Sequence, residues 1–155
     1  MMVWNFLFML FLQTQQAAGQ PAAVVQVIVG LDDGMKVTVQ NPEFTGFIDG
    51  RSGDAVLMYR ERNFHGEMPV KTIARIDFGP YRRGKPFPMK VTLKSGEELD
   101  VESERRDFVE IKGKSELGTV TIKHPDPRAV PARITTRKPN RKKDLTIQYL
   151  EFPGS

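Results

Sequence analysis

The residues of this chain best suited to proton transfer or metal binding are its two histidines, His65 and His124. His65 lies in Asn63-Phe64-His65-Gly66-Glu67 and His124 in His124-Pro125-Asp126, at corresponding points of the two halves of the sequence. That correspondence is compatible with a shared metal or an acid–base pair. A metal centre, however, needs three or four ligands in a set geometry, and the chain has no cysteine, no HxH and no HExxH. Both histidines are therefore expected on exposed loops, with no metal and no cofactor.

Carboxylates are plentiful, and a pair at the right separation can hydrolyse glycosides. Here Glu98, Asp100 and Glu102 alternate with Leu99 and Val101, which is the pattern of a strand with one wet and one buried face. Asp32-Asp33-Gly34 and the run Asp49 to Asp54 lack the closing glutamate of a calcium loop, and Arg51 puts a cation inside the second. Ser52, Ser95, Ser103 and Ser115 stand in turns or charged stretches, without a G-x-S-x-G elbow. Phosphate-binding G-x-x-x-x-G-K-[ST] and G-x-G-x-x-G motifs are absent too. These readings favour a protein that is not an enzyme, and leave a cell-wall polymer hydrolase as a distant third choice.

The chemistry that remains is charge. The formal net charge is +4, and the basic excess sits in one place. From Arg128 to Lys143 there are seven basic residues and no acids, interleaved with proline and small polar residues. Arg133, Arg137, Lys138, Arg141, Lys142 and Lys143 are the candidate contacts for an anionic partner, which such a segment binds by releasing counterions. No aromatic residue lies within the run, so nucleobases have no stacking platform there. A second candidate, Tyr81, Arg82, Arg83 and Phe87, could line a partner groove; the competing reading has Tyr81 and Phe87 pinning two units together.

The elements that must carry these residues are strands. Val24 onward is rich in Val, Ile and Thr with period-two alternation, and no stretch has a convincing helical period. The pattern occurs twice. Val27-Ile28-Val29, a turn at Gly34, Lys36 to Val39, Phe47 to Asp49, Ala55 to Met58 and Ile73 to Phe78 are echoed farther on. The echo is Val91-Thr92-Leu93, a turn at Gly96, Glu98 to Val101, Phe108 to Glu110, Thr119 to Ile122 and Ile147 to Phe152. The alignment matches Val29 with Leu93 and Phe78 with Phe152. Between them the run GPYRRGKPFP, with three prolines, cannot continue a strand.

A strand, a hairpin turn, three short strands and a closing I-x-x-I-x-F resemble a small SH3-like or Sm-like barrel, of the kind that recurs in bacterial envelope proteins. The resemblance implies an all-β chain of two tandem five-stranded barrels packed side by side, duplicated from one unit. The first spans 24–79, a Pro/Gly-rich linker 80–88, and the second 89–153 with a basic loop insertion at 125–143. It implies a fold and no activity, and the Asp/Asn pair with which Sm-like proteins hold a base is absent.

Met1 to Leu12 is apolar except for Asn5, and QTQQ and Ala17-Ala18-Gly19 follow. That is the form of a cleavable export signal over 1–19, although it carries no Lys or Arg; it is too short for a spanning anchor. The sequence thus predicts a periplasmic or secreted, non-catalytic binding or assembly module that meets an envelope polymer or a protein partner. Export would remove nucleic acid from consideration. The alternative is a cytoplasmic, nucleic-acid-binding Sm-like protein.

Overall fold

The computed structural model describes residues 26–31, 34–80, 85–104, 108–124 and 147–154, and the backbone of 133–136 and 143–144. The predicted export signal lies outside these residues. Thirteen strands follow one another: β1 (Gln26–Leu31), β2 (Lys36–Gly46), β3 (Ile48–Arg51), β4 (Val56–Glu61), β5 (Phe64–Pro69), β6 (Ile73–Phe78), β7 (Pro88–Leu93), β8 (Glu98–Ser103), β9 (Val109–Ser115), β10 (Gly118–His124), β11 (Arg133–Thr136), β12 (Lys143–Asp144) and β13 (Ile147–Glu151). Among the described residues a single 3₁₀ turn, Val70–Thr72, interrupts them, and no helix there is long and apolar enough to cross a membrane.

All ladders are antiparallel. The order β1-β13-β6-β7-β8-β4-β3-β2, with β2 pairing back to β1, closes a ring of eight strands. β5 extends the sheet beyond β4, while β9, β10, β11 and β12 extend it beyond β2. Closure leaves no open edge within the ring itself.

Two barrels closing one after the other would each complete their sheet from within one half. Here the ring is shared, because β13 inserts between β1 and β6, β4 joins β8, and β9 joins β2. Exchanging β1 with β7, β2 with β8, β4 with β9, β5 with β10 and β6 with β13 maps the nine ladders among these ten strands onto one another, while β3, β11 and β12 have no counterpart. Val29 faces Leu150 as Val91 faces Ile76, and Leu31 faces Ile147 as Leu93 faces Ile73, each across a bulge. Gln40 faces Lys114 as Glu102 faces Arg60. Phe78 and Phe152 correspond, each standing two residues after the equivalent Ile76 and Leu150, while Val29 corresponds to Val91, two residues short of the expected Leu93. His65 and His124 do not correspond, since the exchange of β5 with β10 matches them to Thr119 and Val70.

Side-chain alternation explains the shared core. Val27, Val29, Leu31, Val37, Val39, Ile73, Ile76, Val91, Val120, Ile122, Ile147 and Leu150 all point inward and are buried. Each such side chain contributes about 1.5–3 kcal/mol on leaving water. The ladders between the halves let both contribute to one core, in keeping with units that would be marginal alone. Phenylalanines fill the middle: Phe47 lies 6.0 Å from both Phe78 and Phe87, and Phe44 lies 6.2 Å from Phe152.

The seam between the halves, β6 against β13, is tied on its outer face by Arg75. Its guanidinium meets Asp77 at 2.9 Å and Glu151 at 2.7 Å and lies 3.9 Å from the centre of the Tyr149 ring. Partial burial lowers the Arg75 pKa, but the bonds and charges of Asp77 and Glu151 outweigh it and the net shift is upward. Tyr149 can adopt this position because its cross-strand partner is Gly30, where a Cβ would overlap the ring. Gly30→Ala is expected to displace Tyr149 from Arg75 and lower stability by about 1–2 kcal/mol. A thermal melt that is unchanged within a few tenths of a kcal/mol would count against the stacked arrangement.

Candidate functional site

The basic insertion is rooted between two core strands. β10 carries Val120, Ile122 and His124 on its inner face, all buried, and ends there. β13 starts at Ile147, whose backbone N–H donates to His124 Nδ1 at 3.3 Å. One bond thus joins the two ends of the insertion. Part of the insertion folds back as sheet: β11 pairs with β10, setting Arg133 opposite Lys123, and β12 pairs with β11, setting Lys143 opposite Ile134. The expected open loop is therefore partly strand. Arg133 and Lys143 are held in register there; Arg137, Lys138, Arg141 and Lys142 lie outside the described residues. Lys123 adds a cation on β10, its Nζ 5.0 Å from the Phe108 ring centre.

His124 is a correction to the expected exposed loop histidine, being only 2% accessible. It stacks against Phe87 at 5.2 Å and Phe78 at 5.4 Å, and its Nε2 is buried without a hydrogen-bond partner. Burial pushes its pKa down to about 4, so the ring is neutral at pH 7. Since Nδ1 accepts from Ile147, the network assigns the ring proton to Nε2. The signal was present in the sequence: His124 continues the inward row of Val120 and Ile122. His65 is the exposed histidine, with Nδ1 2.7 Å from Glu104. The two histidines form no shared centre, and no described cluster of three or more His, Cys, Asp or Glu is arranged to hold a metal.

The second candidate surface divides. Tyr81, Arg82 and Arg83 lie outside the described residues. Phe87 is core, 1% accessible. Its N–H donates to Ser103 Oγ at 2.9 Å and its carbonyl accepts from the Ser103 N–H at 2.9 Å. That reciprocal pair pins the end of the linker to β8.

A groove of about 1020 Å³ runs across β6, β7 and β8 to the β4–β5 turn. Its acidic lining includes Asp77, Glu98, Asp100 and Glu102. Asp77 is held by Arg75, and Glu98 lies 3.0 Å from Lys90, raising the lysine pKa mainly through their hydrogen bond. Glu98, Asp100 and Glu102 are exposed while Val101 is buried, the wet and dry faces that the alternation predicted. Arg60, Arg62 and Lys90 line the same groove, so its charge is mixed. No protein-family model, no curated protein and no solved structure matches this chain.

Proposed function

We propose that the protein is a non-catalytic, exported binding or assembly module, built by duplication of a small SH3-like β unit, that meets an anionic envelope polymer or a protein partner through its basic insertion. The exchange symmetry of the ladders supports the duplication. The observation that carries the function is the root of the insertion. The segment between His124 and Ile147, which holds the run of seven basic residues, is closed at its base by the buried His124–Ile147 bond and sets β11 along β10 and β12 along β11. A cationic segment anchored at both ends is suited to an extended anionic surface, where each neutralised charge releases a counterion.

The test is co-sedimentation with phosphatidylglycerol-containing vesicles and with neutral phosphatidylcholine vesicles over a salt series. Wild-type protein should bind the anionic vesicles at low salt and release as salt rises. Replacing Arg133, Arg137, Lys138, Arg141, Lys142 and Lys143 together by glutamine should abolish binding and leave the melting temperature within a few degrees. Equal binding by the substituted protein would remove the insertion from the contact surface.

A further inference from the structure

We propose that the outer edge of β5 is a homotypic docking edge, on which β5 of a second copy of this chain adds as an antiparallel strand. Among the described residues β5 pairs only with β4. The equivalent edge, that of β10, is covered: β11 lies along it, with Val120 opposite Thr136 and Lys123 opposite Arg133. The fold therefore accepts an antiparallel strand at this position. In the first half the chain passes from β5 to β6 through Val70–Thr72 alone, too short to supply one. The lack of cover is visible in burial. Val120 and Ile122 of β10 are buried, whereas Gly66 and Met68, their counterparts, are only half-buried.

The edge is complementary to itself. A two-residue turn, Arg62-Asn63, closes on the pair Glu61 and Phe64, with positive φ at Arg62. Such turns close on a hydrogen-bonded pair, so the backbone groups of Phe64, Gly66 and Met68 point to β4 and those of His65 and Glu67 point outward. Setting Gly66 against Gly66 of the second copy brings each His65 opposite a Glu67, so that the outward N–H and C=O groups form four hydrogen bonds. The same register brings each Phe64 opposite a Met68. Apolar meets apolar twice, and each Glu67 carboxylate faces an imidazole in place of a second carboxylate. Sliding by two residues would set glutamate against glutamate, or histidine against histidine. Phe64 is 50% accessible and stands out among the described residues as the exposed large hydrophobic side chain; pairing covers it. Pro69, which has no N–H, falls just beyond this ladder, where no donor is needed.

Sedimentation velocity over a concentration series should show the wild-type protein passing from monomer to dimer. Glu67→Lys reverses two cross-strand pairs and should raise the dimer dissociation constant roughly tenfold or more, with its thermal melt unchanged because the residue is exposed. Register is read by cross-linking, since the chain has no cysteine of its own. His65→Cys mixed with Glu67→Cys should form a disulfide-linked dimer on mild oxidation, because facing residues of a hydrogen-bonded pair lie about 5.5 Å apart. Either variant alone should cross-link much less. A wild-type protein that stays monomeric at the highest concentration reached overturns the proposal. So does a dimer indifferent to Glu67→Lys, or one in which His65→Cys alone links as well as the mixture.

Discussion

Replacing Gly46 by alanine should leave little folded protein at 37 °C. Gly46 ends β2 with φ 122°, a region that L side chains rarely adopt, and a Cβ there would overlap the carbonyl oxygen of Phe108. This is a backbone obstacle that no rotamer change can clear. Its neighbours are also committed: Gly46 pairs with Val109, and Phe47 N–H donates to that same Phe108 carbonyl at 3.0 Å. Moving Phe108 away would break the link between the halves and disturb Phe47, which is fully buried against Phe78 and Phe87. Backbone strain and lost contacts together should cost about 3 kcal/mol or more, a large share of the stability of an ordinary domain. Gly34→Ala is the control. Gly34 also has positive φ, at 83°, but nothing lies within 4 Å of its would-be Cβ, so it should lose only about 1 kcal/mol. Urea midpoints measure both. If Gly46→Ala were no worse than Gly34→Ala, the close approach of Gly46 to Phe108 would be wrong.

What the sequence made legible was what alternation encodes. Val27 and Val29, Val37 and Val39, and Val120 and Ile122 announce buried faces two residues apart, and Gly34 and Gly96 mark the two hairpin turns with positive φ. Partnership was not legible. A strand's pattern states which face is dry and says nothing about which neighbour it pairs with, so β13 joining β1 and β6 of the other half could not be read from a repeat. β5 escaped for a related reason. Phe-His-Gly-Glu-Met-Pro has no clean alternation because its strand has a neighbour on one side only and four of its six residues are exposed. Omitting it misaligned the middle of the repeat, so that 119–122 was matched with 55–58 instead of with β5. The candidate site was legible as a charge run. Its root was not, since His124 was read by residue type when its place in the row Val120, Ile122, His124 already marked it as inward.

Folding stability should fall between about pH 6.5 and pH 4 because of that one residue. An ordinary histidine titrates near 6.5, whereas burial depresses His124 to about 4. In this interval the unfolded chain binds a proton that the folded chain resists, so acid favours unfolding. The contribution of neutral His124 is fully present above about pH 6.5, is lost as pH falls toward 4, and changes little below that. The separation of the two pKa values corresponds to about 3 kcal/mol. Geometry gives the same direction. Protonated Nδ1 would become a donor facing the Ile147 N–H, which is itself a donor, while Nε2 stays walled in without a partner. Because that contact joins the two ends of the basic insertion, the root of the insertion should loosen before the ring does. Urea midpoints from pH 7.5 to 4.5 should therefore drop steeply for the wild type. They should stay much flatter for His124→Gln, which keeps an acceptor for Ile147 but cannot titrate. Amide exchange should show the Ile147 N–H losing protection earlier in the acid series than Val29 or Val91. Parallel pH profiles for wild type and His124→Gln would assign the acid sensitivity to other groups and leave His124 a packing residue only.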